Sequence, residues 1–380
     1  MTAAIFSRRF AANYLSTLGF IALAYWIITD VSGFHRSAIG SEWRFAVFGS
    51  DRVLHIHTLM HWLIGLYVIA LIPFYLRYPW LRSKANVFLQ GVGYAFRRSR
   101  RPLSRAQRAV RARDPMRLPL RLGLTSTARQ AALALLLKFF FAPLMINWCL
   151  GHVGDMTNSL AQFWQSVQGG IRGRALFDGS LFWACFQAIL FVDTLLFTIG
   201  YIVEMPSLKN RIRSVDPTFF GWFVCLACYP PFNSVTGSAN VLPWMSNDFP
   251  QFEGDTIHFI ANGALIVLMA VYSWASVALG FKASNLTNRG IVARGPYAWV
   301  RHPAYAAKNM AWWIGAMPML GMLISTANYS ALAAALASLT GWSLLYALRA
   351  ITEERHLLMA DNGYAEYAAR IRWRFIPGLV

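Results

Sequence analysis

Residues 295–305 read Gly295-Pro296-Tyr297-Ala298-Trp299-Val300-Arg301-His302-Pro303-Ala304-Tyr305, and the long apolar segments of the chain lie on either side of them. A Gly-Pro pair is typical of a turn, and a residue that precedes proline is biased towards extended backbone. Proline is favoured in the first turn of a helix, so a helix is predicted to begin at Pro303. We call residues 295–305 the collar. It places polar groups at the N-terminal end of a membrane helix, where a small charged ligand can bind.

The composition on both sides of the collar is that of a membrane protein. Of the 380 residues, 57% are apolar and 13% are charged, which excludes an ordinary soluble domain. Runs of about 20 apolar residues, the length that crosses a bilayer, recur along the chain. We therefore predict an all-α, polytopic integral membrane protein with about eight transmembrane helices. The predicted spans are Phe10–Thr29, Leu54–Leu76, Ala131–Leu150, Leu181–Val203, Thr218–Phe232, Ile257–Phe281, Ala304–Ser325 and Tyr329–Ala350.

The positive charge of the chain is concentrated in alternate loops. The net charge is +19, and residues 77–130 carry thirteen arginines and Lys84 against Asp114 alone. Residues 233–256 contain no lysine or arginine. By the positive-inside rule, eight spans would leave both termini in the cytoplasm, and a bacterial inner membrane is the expected location. The basic loops are expected to contact anionic lipids, whereas no nucleic-acid partner is expected because no aromatic-interleaved fold surrounds the arginines.

These features divide the chain into four predicted regions. Residues 1–76 form an N-terminal transmembrane hairpin, and residues 77–130 a basic cytoplasmic insertion with a short surface helix over Ser104–Arg113. Residues 131–256 form a transmembrane region without an assigned role. Its fifth span is short and ends at Pro230-Pro231, so we expect it to be broken. Residues 257–380 form the candidate catalytic region.

Three isolated polar features of the sequence have a structural interpretation as well as a functional one. His57 and His61 share a helix face, but no third ligand is spaced to complete a metal site, so no metal is predicted. Cys225 and Cys228 form a C-x-x-C pair inside an apolar segment, where cysteine packs as a small hydrophobe. Asp193 lies in the middle of a predicted span and either lines a cavity or pairs with a neighbouring helix.

The last two predicted spans bring distant residues back to the collar. They are joined by only a few residues and must form an antiparallel hairpin. Arg349 and Glu353 are four residues apart and share a helix face, whereas Glu354 points about 100° away. The end of the second helix then lies beside the start of the first. The predicted pocket contains Tyr297, His302, Tyr305, Arg349 and Glu353.

Such a pocket suits an amphoteric, nucleotide-like cofactor. A carboxylate can pair with an ammonium or accept hydrogen bonds from ribose hydroxyls, and aromatic faces attract a sulfonium. A helix N-terminus favours a carboxylate or phosphate. Methyl transfer from S-adenosylmethionine needs mainly alignment of the nucleophile with the methyl group and exclusion of water.

The motifs of this region resemble those of the isoprenylcysteine carboxyl methyltransferase and phospholipid methyltransferase superfamily. The likeness consists of the collar, the helical hairpin, the Glu353-Glu354 pair and a polar tail, and it covers roughly residues 257–380. The matching tail residues are Gly363, Tyr364, Tyr367, Arg370, Arg374 and Pro377.

The resemblance implies that S-adenosylmethionine is held on the cytoplasmic side, while a lipidic acceptor enters from the bilayer. The cofactor-binding residues that it implies are Gly290, Ile291, Val292, Tyr297, His302, Pro303, Tyr305, Glu353 and Glu354. Arg349 and Glu353 are the implied catalytic residues, because Arg349 matches a position that contacts the substrate carboxylate in the isoprenylcysteine enzymes. The acceptor atom, a carboxylate, thiol or amine, stays open.

One departure and two alternatives accompany this interpretation. Ala307 stands where the family often has glycine and is followed by Lys308, so the acceptor end of the pocket is expected to be unusual. The tail over residues 374–378 also fits an NADPH-dependent reductase of the sterol C14 type, but the Glu353-Glu354 pair is a poor neighbour for a 2′-phosphate. A non-catalytic transporter or scaffold is the other alternative, and Asp193 and the His57/His61 pair would support it.

Overall fold

The structure is a computed structural model, and it describes residues 7–40, 42–47, 50–99, 124–360 and 362–379. The described residues are mostly helical and include two short two-stranded sheets, which confirms the all-α class. The elements up to residue 168 are α1 (Arg8–Trp26, extended by a π-helical turn at Ile27–Val31), α2 (Gly33–Ile39), β1 (Glu42–Val47), β2 (Ser50–His55), α3 (Ile56–Arg77), α4 (Lys84–Ser99) and α5 (Ser126–Gln168). The later elements are α6 (Gly173–Leu176, followed by a π-helical turn at Phe177–Leu181), α7 (Phe182–Ile202), β3 (Ser214–Val215), α8 (Phe219–Leu226), α9 (Phe232–Thr236), α10 (Asp255–Leu279), β4 (Thr287–Asn288), α11 (Pro303–Ser325), α12 (Tyr329–Leu358) and α13 (Tyr364–Arg370).

Six of the described helices are long and apolar enough to cross a membrane. They are Arg8–Val31, Ile56–Arg77, Ser126–Gln168, Gly173–Ile202, Asp255–Lys282 and Tyr329–Leu358. Their outward surfaces are apolar, since Trp62, Ile260 and Val267 are all more than 60% exposed. Large apolar surfaces of this kind are typical of helices that face lipid. The chain is an integral membrane protein, but the predicted count of eight spans is not confirmed.

The fifth predicted span is broken. The helix within Thr218–Phe232 is α8, whose eight residues cover only about 12 Å. The chain then turns at Pro230-Pro231, where the peptide bond is cis. Proline cannot donate a backbone hydrogen bond and ends a helix, which is why the segment does not continue across the bilayer.

The predicted hairpin of the last two spans is present. Helix α11 has 23 residues, carries Lys308 and Asn309 near its start, and is not among the six candidate spans. Residues 326–328 connect it to α12, and the Asn328 side chain caps α12 by accepting a hydrogen bond from Ala331 N at 3.2 Å. Helix α12 continues past Ala350 to Leu358, so Glu353 lies on the same helix as the membrane span.

The chain divides into two compact units, of which the first comprises residues 1–42 and 54–143. Asn13 organises its polar contacts. Asn13 Nδ2 donates to Leu81 O at 2.8 Å, and Asn86 Nδ2 donates to Asn13 Oδ1 at 2.8 Å. These bonds hold α4 beside α1.

Helix α4 also approaches α5 closely, since a Cβ at Gly91 would meet Ala128 Cβ at 2.2 Å. The start of the predicted basic insertion is therefore a packed helix. The predicted helix over Ser104–Arg113 lies outside the described residues.

The second unit comprises residues 43–53 and 144–380 and contains the collar. Helix α10 packs against α7 and α11 through an apolar cluster formed by Phe182, Phe186, Phe249, Leu265, Met269 and Ala311. Strands β3 and β4 are antiparallel, with Ser214 opposite Asn288 and Val215 opposite Thr287. This ladder fixes the segment that leads into the collar.

Candidate active site

The collar and the C-terminal tail close one end of a pocket in the second unit. Residues 295–298 form a 3-10 turn, and His302 precedes α11 with non-helical backbone angles, φ −128° and ψ 60°. Arg301 N donates to Trp373 O at 2.9 Å, and His302 N donates to Arg374 O at 2.8 Å. The pocket contains about 1130 Å³ of space, including its open mouth.

Glu354 joins the collar to the tail. Its Oε1 accepts from Arg301 Nε at 2.8 Å and lies 3.2 Å from His302 Nε2, and its Oε2 accepts from Arg374 Nε at 3.1 Å. The Glu354 side chain is only 8% exposed. Its two oxygens are thus engaged by groups of the protein itself.

Glu353 faces the pocket instead. Its side chain is 26% exposed, and its Oε1 accepts a hydrogen bond from the Tyr305 hydroxyl. Arg349 Nη2 lies 3.9 Å from Oε1, and His302 Nδ1 lies 3.9 Å from Oε2. The predicted sharing of one helix face by Arg349 and Glu353 is confirmed. A carboxylate so placed can still accept hydrogen bonds from a ligand.

The guanidinium of Arg349 is almost completely enclosed, with an exposed fraction of 2%. Its Cζ lies 5.4, 5.0 and 5.1 Å from the ring centroids of Tyr229, Tyr305 and Tyr346. Nη2 donates to Asn285 Oδ1 at 3.1 Å, whereas the buried Nε has no hydrogen-bond partner among the described residues. A buried cation with an unused donor is suited to an anionic group.

The segment before the collar has a second buried arginine. Arg289 is 3% exposed, and only its Nη1 has a partner among the described residues, the carbonyl oxygen of Asn210. Burial lowers the pKa of Arg289. Gly290 follows with φ +90°, and a Cβ there would lie 3.1 Å from Arg213 Nη2. The backbone angle therefore favours glycine, and any larger residue would also have to shift the Arg213 guanidinium.

Asp193 lies behind the pocket wall rather than in it. Tyr272 Oη donates to its Oδ2 at 2.8 Å, and the Ser276 hydroxyl donates to its Oδ1. The carboxylate is 4% exposed, so its cost of burial is offset by two hydrogen bonds from α10. Of the two interpretations of Asp193, pairing with a neighbouring helix is the one observed, although Tyr272 and Ser276 themselves line the pocket.

Eight of the ten predicted site residues line this one pocket. They are Gly290, Ile291, Val292, Tyr297, His302, Tyr305, Arg349 and Glu353. Pro303 and Glu354 are not among its described lining residues. Pro303 begins α11, and Glu354 holds the collar. The geometry brings the predicted residues together, and their individual roles stay predictions.

Several pocket residues were not predicted. Tyr346 precedes Arg349 by one helical turn on α12, so helical spacing alone was a usable signal for it. Lys308 was noted only as a departure from the family pattern. Tyr229 and Asn285 carried no signal, because they reach the pocket from a broken segment and a loop, and their placement depends on long-range packing.

None of the isolated histidines and cysteines is among the described lining residues of the pocket. The His57 and His61 rings are in edge contact, with centroids 4.1 Å apart, and His61 Nε2 contacts the Tyr25 hydroxyl. Over the described ranges, no group of three or more histidine, cysteine, aspartate or glutamate side chains could hold a metal ion. Cys225 is buried, and burial raises the pKa of its thiol to about 12.

Comparison with protein families bears on this same region. Residues 258–359 match the sequence model of the isoprenylcysteine carboxyl methyltransferase (ICMT) family. The matched part contains the collar, the hairpin and Glu353, and it makes up about a quarter of the chain. The resemblance found in the motifs is thereby confirmed over these residues, and it supports a membrane methyltransferase of the ICMT type. Neither the curated proteins nor the solved structures that were searched gave a match.

Proposed function

We propose that this protein transfers a methyl group from S-adenosylmethionine to a hydrophobic or lipidic acceptor. The observation that carries the proposal is the position of Glu353, a partly exposed carboxylate beside Tyr305, His302 and Arg349, inside the segment that matches the ICMT family.

The residues of the pocket fit this cofactor. S-adenosylmethionine combines a carboxylate, an ammonium, a sulfonium and ribose hydroxyls, and it supplies an electrophilic methyl group. The unused Nε of Arg349 and the unused nitrogens of Arg289 are suited to an anionic group. Glu353 can accept from an ammonium or from hydroxyls. The ring of Tyr305, stacked on that of His302 at a centroid distance of 5.4 Å, offers a face to a sulfonium.

The remaining contribution of the chain is to orient the reactants and exclude water. The tail contacts the collar through Arg301, His302 and Glu354, and these contacts stabilise the end of the pocket that the collar and tail close. Rigid walls reduce the freedom that two reactants must lose before they meet, and this alignment is the larger part of catalysis for methyl transfer. Arg349 would orient an anionic group on the cofactor or acceptor.

The orientation in the membrane is part of the proposal. The positive charge around residues 205–216 and the collar supports a cytoplasmic pocket, with these basic segments against anionic lipid headgroups. The acceptor would then enter from the bilayer between apolar helices.

Calorimetric titration of the detergent-solubilised protein tests the proposal. S-adenosylmethionine and S-adenosylhomocysteine are expected to bind the wild type, and Glu353→Gln is expected to weaken both by at least about tenfold, or 1.4 kcal/mol. Glu366→Gln is the matched control, because Glu366 is exposed on α13 and does not line the pocket.

Two results would overturn the proposal. If neither adenosyl ligand binds while NADPH does, the reductase alternative replaces it. Equal affinity of the wild type and Glu353→Gln for S-adenosylmethionine would remove Glu353 from the cofactor site.

A further inference from the structure

We propose that Lys308 selects the acceptor by binding an anionic group, a phosphate or a carboxylate, on an amphiphilic molecule. This inference rests on the proposed function, because it concerns the acceptor end of the same pocket. It adds a requirement that methyl transfer itself does not impose, namely that the acceptor carry a negative charge at a defined depth.

Lys308 lies deeper in the helix bundle than the collar. It follows Tyr305 by three residues on α11, so both side chains are on the same side of the helix, and both line the pocket. At 1.5 Å per residue, Lys308 is roughly 7.5 Å along the helix axis from Pro303. A ligand group at Lys308 is therefore separated from one at the collar.

The Lys308 ammonium is surrounded by aromatic faces. Its Nζ lies 5.4, 5.5 and 5.9 Å from the ring centroids of Tyr272, Trp312 and Tyr346. Ring faces attract a cation but replace water or a counter-ion only in part. The charge is thus held at a fixed place without being neutralised.

Among the described residues, no carboxylate forms an ion pair with Lys308. Asp193 and Asp248 are within electrostatic range, but neither comes within the 4.0 Å that defines an ion pair. Both oxygens of Asp193 already accept hydrogen bonds, from Tyr272 and Ser276. Within the described ranges, the Lys308 ammonium has these three ring contacts but no hydrogen bond or ion pair to another side chain.

A second cation makes an anion at this place more favourable. Arg349 contacts the same Tyr346 ring at 5.1 Å, so two cations lie within 6 Å of one ring centroid. The only carboxylate close to Arg349 among the described residues is Glu353, at 3.9 Å. Two like charges beside one ring repel each other, and a bound anion would relieve that repulsion.

The same pocket has an apolar wall, to which Phe197 and Leu279 contribute. An acceptor with one anionic group and an apolar chain therefore fits both the cations and the wall. A lysine ammonium binds as a point charge without the planar fork of arginine, so it accepts phosphate and carboxylate alike.

Four probes of known chemistry test this inference in a neutral detergent. Dodecyl phosphate and laurate carry the two anionic groups, dodecanol is the neutral match, and inorganic phosphate is the anion without a chain. Binding to the wild type is measured by calorimetry, with S-adenosylhomocysteine titrated in parallel. We expect dodecyl phosphate or laurate to bind at least tenfold more tightly than dodecanol and than inorganic phosphate.

Variants then assign the preference to Lys308. Lys308→Met is expected to lose the tenfold preference, Lys308→Arg to keep it, and Lys209→Met, outside the described pocket lining, to behave as wild type. S-adenosylhomocysteine should bind the wild type and all three variants equally. If the wild type does not bind it, the proposed function is contradicted rather than this inference.

The inference is overturned if the wild type binds dodecanol as tightly as the anionic amphiphiles, a result that needs no variant to fold. It is also overturned if Lys308→Met keeps the anionic preference. Binding of inorganic phosphate as tight as that of dodecyl phosphate would identify a free anion as the ligand and reject the amphiphile.

Discussion

Glu354 Oε1 accepts a hydrogen bond from Arg301 Nε at 2.8 Å, and this buried ion pair joins the end of α12 to the collar. The next residue towards the N-terminus, Glu353, faces the pocket. Two adjacent carboxylates thus have separate tasks, because successive side chains on a helix point about 100° apart. Glu354 stabilises the wall of the pocket, and Glu353 is available to a ligand.

Glu354→Gln is expected to destabilise the protein. The change removes the charge that balances Arg301 and Arg374, and breaking a buried ion pair costs about 3 kcal/mol. A lower Tm in a thermal unfolding experiment in detergent checks this. Glu353→Gln should leave Tm near that of the wild type while weakening cofactor binding. A lower Tm for Glu353→Gln together with weaker cofactor binding by Glu354→Gln would show that the two carboxylates have the opposite roles.

Arg349→Met is expected to weaken binding of S-adenosylhomocysteine by about 30-fold, or 2 kcal/mol, because the pocket loses one of its enclosed cations. Arg349→Lys should restore only part of the affinity, since an ammonium cannot keep both the Asn285 hydrogen bond and the contacts with three tyrosine rings. Calorimetry compares the three proteins. If Arg349→Lys restored the full affinity for S-adenosylhomocysteine, the positive charge alone would account for the contribution of Arg349.

Gly290→Ala is expected to lower cofactor affinity, because a Cβ would press on the Arg213 guanidinium beside the pocket. Gly378→Ala is the matched control. It has a similar φ, +85° against +90°, but its Cβ would meet nothing within 4 Å. Both variants carry the strain of a left-handed backbone, so a difference between them measures the effect of the contact. Equal affinities would show that the contact has no consequence.

Cys225 is expected to resist alkylation in the folded protein. Because burial raises the pKa of its thiol to about 12, almost none of it is thiolate at pH 8. Iodoacetamide labelling followed by mass spectrometry checks this, and labelling should appear once the protein is unfolded in sodium dodecyl sulfate. Rapid labelling of native Cys225 at pH 8 would instead indicate a reactive thiol and reopen a redox role for the C-x-x-C pair.

Local pattern was sufficient for much of the site. The collar, the hairpin and the shared face of Arg349 and Glu353 follow from turn residues, a short connection and helical spacing. These features depend on residues close together in the chain or on one rigid helix, so their geometry can be deduced without knowing the rest of the fold.

Contacts between distant segments could not be deduced in this way. Tyr229 reaches Arg349 from a segment that is broken by Pro230-Pro231, and Asn285 reaches it from a loop held by β3 and β4. The resemblance predicts Glu354 as a cofactor ligand, and its three partners from the collar and tail became visible only in the fold.

The sequence by itself therefore determined that this is a helical membrane protein whose methyltransferase-like pocket is built on the collar and the last helix. Apolar length and helical periodicity are properties of single segments, and they do not depend on the neighbours of those segments. Only the tertiary structure decided which groups engage Glu354 and where Lys308 places its charge. Both depend on side chains brought together from distant parts of the chain, whose packing no local pattern specifies.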